Sequence, residues 1–98
     1  MNSRPGLEAA RRVRISGRVQ GVYFRASAAE RAIALSLRGY AENRRDGTVL
    51  VLAAGSPAAL SDLVAWLQKG PPLARVDKVE IESIDPASIE WPAGFLQS

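Results

Sequence analysis

The chain contains no cysteine and no histidine, a single methionine, and only two lysines beside eleven arginines. These absences exclude disulfide staples, zinc fingers, iron–sulfur sites, His-based metal centres, thiol nucleophiles and every triad that works through an imidazole. Any chemistry falls to Arg, Lys, carboxylates, amides, hydroxyls or the main chain. Long apolar runs are missing as well. The uncharged stretch Thr48 to Ser61 is broken by Gly55 and Pro57, and it falls short of the roughly 20 residues that a bilayer crossing takes. Residues 1–12 carry Arg4, Arg11 and Arg12 without the apolar segment of a secretory signal. The expectation is a soluble, cytoplasmic protein with a flexible tail over residues 1–10 and no membrane partner.

What is present is enough for one core. Ninety-eight residues, 47% of them apolar, suit a single domain over 11–98, and a chain of this size folds without staples. Residues 1–49 hold ten basic and four acidic side chains, a balance of +6, whereas residues 50–98 hold three and six, a balance of −3. An arginine-rich half suits an anionic ligand, because guanidinium forks match phosphate and carboxylate oxygens. It equally suits a solvated basic surface.

The hydrophobic period alternates along the chain. Val13, Ile15 and Val19 interleave with Arg12, Arg14, Ser16 and Arg18, a period of two that predicts a strand with one wet face. Val22, Ala26, Ala29 and Ile33 then recur at helical spacing, with Ser27, Glu30 and Arg31 on the far side. Leu37 to Asn43 and Thr48 to Ala54 read as a hairpin around Asp46-Gly47. A second helix is signalled by Ser56 as cap, Pro57 at its first position, Leu60, Leu63, Val64 and Leu67 on one face, and Gly70 as its stop. Val76 to Ile84 predicts a last strand with Val79 and Ile81 inward and a bulge near Asp77-Lys78. Trp66 is expected in the core or as a cap over the C-terminal segment, and Trp91, Phe95 and Leu96 are expected to fold back on the sheet edge as a short extra strand. The order strand, helix, strand, strand, helix, strand is that of a ferredoxin-like βαββαβ sandwich in the α+β class. Both helices would lie on one face of a mostly antiparallel sheet.

Two places depart from simple patterning. From Gly17 to Arg25 a strand passes through a glycine-bounded turn directly into a helix, which gathers unpaired main-chain N–H groups and the positive end of the helix dipole. Arg25 falls about one turn into that helix, within reach of an anion at its mouth. A plain strand-to-helix turn with a surface Arg has the same glycine spacing. Asn43 shares strand parity with Leu37, Gly39 and Ala41, so its amide faces the packed side at the strand's end. It serves equally well as the start of the turn into Asp46-Gly47 through an Asx-type hydrogen bond.

The residues GRVQGVYFR at 17–25, Leu35 to Asn43 and Asp46-Gly47-Thr48-Val49 closely resemble the acylphosphatase family. The resemblance runs over roughly residues 13–85 and includes Trp66-Leu67, Gly70-Pro71-Pro72 and Ala74 to Asp77. It implies metal-independent hydrolysis of acyl phosphates to a carboxylate and inorganic phosphate. The phosphate would be cradled by the main-chain N–H groups of Gln20, Gly21, Val22, Tyr23 and Phe24, clamped by Arg25, and attacked in line by a water held at Asn43. Ser36 stands where the family usually has Gly, Tyr40 where it has Trp, and Ala41-Glu42 where it has Val and a basic residue. Two other readings use the same fold. A nucleic-acid binder would draw on the basic half, yet Val13 to Val19 and Thr48 to Ala54 lack the stacking aromatics that such sheets present. A carbamoyl-phosphate-handling module belongs to larger proteins. The expected state is a monomer whose partner is a small acyl phosphate rather than nucleic acid.

Overall fold

A computed structural model describes residues 7–98. Strand β1 (Ala9–Arg18) leads into helix α1 (Phe24–Ala34), followed by β2 (Arg38–Asn43), β3 (Val49–Gly55), α2 (Pro57–Leu67) and β4 (Arg75–Ile84). A single 3-10 turn at Pro86–Ser88 precedes a short β5 (Phe95–Gln97). The sheet order is β4-β1-β3-β2-β5, antiparallel throughout except where β5 runs parallel to β2. This is the expected ferredoxin-like sandwich with its additional edge strand. No helix of the described residues is long and apolar enough to cross a membrane.

The period-two pattern of β1 sends Val13 and Ile15 to the helix side, where they meet Val49, Val51 and Ala53 of β3 and Leu60, Leu63 and Leu67 of α2. Helix α2 is set by local chemistry before packing begins. The Ser56 hydroxyl accepts from the Ala59 N–H at 3.2 Å, Pro57 occupies the first turn, and Gly70 donates back to the Trp66 carbonyl at 2.8 Å. Trp66 lies against Phe24, ring centroids 5.7 Å apart, which joins the two helices, and it packs partly buried against the core as expected. Helix α1 buries Phe24, Ala28, Ala29 and Ala32.

Three expectations shift. Ile33 lies on the flank of that small-residue stripe and is 58% exposed, because Phe24, Ala28 and Ala32 already face the sheet. Ile81 is 47% exposed, since β4 is the outermost strand and α2 packs over β1 and β3. Residues 7–10, placed in the expected tail, belong to the folded domain. Ala9 opens β1, and Leu7 and Ala10 are buried with Ala54 and Trp91 in a second apolar cluster on the face opposite the helices. Residues 1–6 of the expected tail lie outside the described residues.

The C-terminal segment therefore covers that second face as well as the sheet edge. Trp91 donates its indole N–H to the Pro86 carbonyl at 2.7 Å, and the Tyr40 hydroxyl donates to the Glu90 carbonyl at 3.0 Å. The bulge expected near Asp77 is present: Ser16 pairs with Lys78 and Gly17 with Val76, leaving Asp77 as the extra residue.

Ser36 closes α1. Its N–H donates to the Ile33 carbonyl and the next N–H, of Leu37, to the Ala32 carbonyl at 2.9 Å, the paired bonds of a Schellman cap. That cap requires a left-handed residue, and Ser36 has φ 60. A side chain in this conformation costs about 1–2 kcal/mol, partly offset because glycine loses more freedom on folding. Ser36→Gly is expected to stabilise the protein by up to about 1 kcal/mol and to raise Tm by about 4–8 °C per kcal/mol gained. A thermal melt with no rise would show that the cap is unstrained.

Candidate active site

The site forms where β1 leaves the sheet. Gly17 has φ 128, and a Cβ built there would lie 2.2 Å from the Arg75 carbonyl oxygen. Only glycine lets β4 close on β1 at the bulge, so Gly17 fixes where the following loop departs. Val19 and Val22 turn inward and are buried, anchoring the loop in the core. Gly21 and Tyr23 between and beyond them take left-handed conformations, with φ 75 and φ 61. The loop thereby curls into the first turn of α1 without a side-chain cap. None of the main-chain N–H groups of residues 20–24 has an acceptor among the described residues. Concave runs of free N–H groups at a helix N-terminus bind anions.

Gln20 contributes in a way its position in the motif did not indicate. Its side-chain amide donates to the carbonyls of Arg44 at 2.8 Å and Thr48 at 2.9 Å, tying the loop to the β2–β3 turn. That turn is closed by its own residues. Arg44 N–H donates to the Thr48 carbonyl at 2.8 Å, and one Asp46 carboxylate oxygen accepts from both the Thr48 hydroxyl at 2.7 Å and the Thr48 N–H at 3.1 Å. These bonds hold the Asp46 carboxyl below its ordinary 3.8, with Arg14 adding a weaker pull in the same direction. The Asx role weighed for Asn43 thus belongs to Asp46.

Asn43 ends β2 on the parity of Ala41, the helix side, and is exposed. Its side-chain amide has no hydrogen-bond partner among the described residues. A cleft of about 440 Å³ lies between β2 and α1, lined by Gly21, Tyr23, Phe24, Arg25 and Asn43 together with Val19, Ala26 and Gln97. Of the residues expected to form the site, the side chains of Gln20 and Val22 lie outside this lining: one is engaged with the turn, the other with the core. Arg25 rises from α1 on one side and Asn43 from β2 on the other. Gln97 was not foreseen, because nothing in a three-residue strand near the end of the chain signals where it docks.

Two arginines of the sheet face opposite the helices have carboxylate neighbours. Arg12 lies 3.6 Å from Glu82 and Arg14 lies 3.8 Å from Asp46, so the basic excess of the first half does not produce an unopposed cationic sheet. In the cleft lining, Arg25 is the only charged side chain.

A family model for acylphosphatases matches residues 11–95. The chain is similar to an acylphosphatase of Halorhodospira halophila, 52% identical over 84 residues that span 85% of this chain and 91% of that one. In shape it is similar to an acylphosphatase from Coxiella burnetii, with a TM-score of 0.84 at 36% identity over 92% of both chains. An acylphosphatase from Bacillus subtilis gives a TM-score of 0.85 at 32% identity, covering 92% of this chain and 98% of that one.

Proposed function

Because the chain belongs to the acylphosphatase family, whose enzymes hydrolyse acyl phosphates, we propose that Arg25, Asn43 and the 20–24 loop are the groups that carry this hydrolysis here. The observation that supports this reading most is the convergence of Arg25 and Asn43, from separate elements, on one cleft floored by a loop with free N–H groups.

Phosphate would sit on the N–H groups of Gln20 to Phe24, with the Arg25 fork across its equatorial oxygens. The Asn43 side-chain carbonyl accepts a hydrogen bond from a water and aims its oxygen at phosphorus, opposite the acyl oxygen. As the new P–O bond forms, the bond to the acyl oxygen breaks, and its electron pair leaves as a carboxylate. Inorganic phosphate and a proton from the water are the other products. A carboxylate leaves without help, since its acid has a pKa of about 4 and is ionised at neutral pH. No general acid is needed, which accords with a chain lacking histidine. The positive charge that phosphoryl transfer requires is supplied by Arg25 and main-chain dipoles, so this reading includes no metal and no other cofactor.

The same reading takes the enzyme as a cytoplasmic monomer acting on a small acyl phosphate, with neither nucleic acid nor membrane as partner. The longer sheet edge, β4, carries Arg75, Asp77, Lys78, Glu80 and Glu82, and charges on an edge strand oppose pairing with a second sheet. On the face opposite the helices Arg12 and Arg14 lie beside carboxylates, Trp91 and Tyr40 are taken up in the second apolar cluster, and β1 and β3 carry no aromatics for stacking bases.

The test is hydrolysis of benzoyl phosphate by the purified protein in excess EDTA, with glycerol phosphate as the comparison substrate. Rapid release of phosphate from the acyl phosphate alone is expected. A requirement for added metal, or efficient turnover of the alkyl monoester, would overturn the mechanism, because a poor alkoxide leaving group needs an acid or a metal that these residues do not provide.

A further inference from the structure

The side chain of Tyr23 is not explained by folding. It is 80% exposed, and its ring belongs to neither apolar cluster and pairs with no other aromatic ring among the described residues. Tyr23 also stands at φ 61 and ψ 24, immediately before the first turn of α1. This left-handed conformation suits Gly, Asn or Asp far better than an aromatic residue. The loop needs the conformation to enter the helix, but it does not need a ring there. A bulky side chain kept at a strained and exposed position points to a role toward a ligand.

Of the large apolar side chains that are exposed, Tyr23 is the one that lines the cleft. The phosphoryl group takes the loop N–H groups and Arg25, and the water takes Asn43, which leaves the acyl group of the substrate without a partner. The cleft, about 440 Å³, has room for that group beyond a phosphate and a water of about 30 Å³. Val19 and Phe24 also line it, yet each is only 1% exposed and offers almost no surface. Arg25 is the only charged side chain of the lining and is committed to phosphate, so an acyl group with its own carboxylate meets no counter-ion. Resting on the hydrolysis reading, we infer that Tyr23 determines specificity: its ring is the surface on which an uncharged aromatic acyl group packs. Aromatic acyl phosphates are thereby favoured over small ones beyond their difference in intrinsic reactivity.

The experiment measures kcat/KM for benzoyl phosphate and for acetyl phosphate in the parent, in Tyr23→Asn and in Tyr23→Phe. Asparagine tolerates the left-handed backbone and removes the ring, whereas phenylalanine keeps the ring and removes the hydroxyl. Both substrates carry the same phosphoryl group, so the ratio of the two constants cancels any change in the main-chain cradle or in the folded fraction. Tyr23→Asn is expected to lower the benzoyl-to-acetyl ratio by about 3- to 10-fold, the scale of one aromatic contact, and Tyr23→Phe to keep it within about 2-fold. An unchanged ratio in an active Tyr23→Asn enzyme would overturn the inference, because a merely structural role moves both constants alike. An equal fall in Tyr23→Phe would also overturn it, by assigning the preference to the hydroxyl. A parent that hydrolysed neither substrate would overturn the hydrolysis reading itself, and this inference with it. A second measurement needs no variant: with the parent bound to benzoylphosphonate, whose C–P bond is not cleaved, nuclear Overhauser contacts are expected between the ligand ring and the Tyr23 ring. Contacts from the ligand ring to other residues alone would overturn the inference.

Discussion

Asn43→Ala is expected to lower kcat on benzoyl phosphate by at least about 10²-fold while changing inorganic phosphate affinity by less than about 3-fold, the pattern of a group that acts only on the attacking water. Asn43 is the last residue of β2 and exposed, so its side chain contributes little to the core. The bonds that organise the adjacent turn are made by Asp46 and Thr48, and the tether across to the loop is made by Gln20. Asn43 bonds to Ser98 through its main-chain N–H, which alanine retains. Stability should therefore stay within about 0.5 kcal/mol of the parent, as for other exposed positions. Steady-state kinetics with phosphate as competitive inhibitor separates the two effects. A fall in phosphate affinity that matched the fall in rate would mean that Asn43 touches the phosphoryl group, and the assignment of the water to it would be withdrawn.

Much of this architecture is legible in the sequence because its signals are local. The Ser56 cap, Pro57 and Gly70 bracket α2 through bonds within a few residues, and the change from period two to helical spacing after Gly21 marks the loop. Parity alone placed Asn43 on the helix side of β2. The slip in alternation at Asp77 likewise predicted the bulge, although Gly17 as its necessary partner emerges only when β4 lies beside β1.

What escaped the sequence depends on contacts between distant segments. Ile81 has the spacing of a core residue, and its exposure follows from β4 being outermost, a property of strand order. Trp91 reads as one more apolar residue near the end, yet it founds a second cluster with Leu7, whose position in a supposed tail gave no such hint. In the site, the Gln20 side chain is an unforeseen part. It acts through main-chain partners, and main-chain atoms carry no residue-specific mark. A motif can thus name the groups that touch a substrate while leaving silent the bonds that hold those groups apart at the right separation.

Arg25→Ala should have a different signature from Asn43→Ala: phosphate affinity lowered by about 10-fold or more and kcat/KM lowered by about 10³-fold or more, since a charge-assisted fork grips phosphate in the ground state and more strongly in the transition state. No second cation lines the cleft to take over. Arg18 leaves β1 before the loop, and Arg44 points its Nη1 at Glu42, 2.6 Å away. Arg25→Lys separates charge from geometry. Lysine keeps the positive charge but offers a point donor in place of a planar fork, so it cannot present two parallel donors to the phosphate oxygens. Phosphate binding should recover partly in the lysine variant and turnover much less, because the residual charge still attracts the anion but no longer fixes it in line with the water at Asn43. Full recovery of turnover with lysine would reduce the role of Arg25 to a simple countercharge. Equal loss of phosphate affinity in the Asn43→Ala and Arg25→Ala variants would reject the division of labour between clamp and water holder.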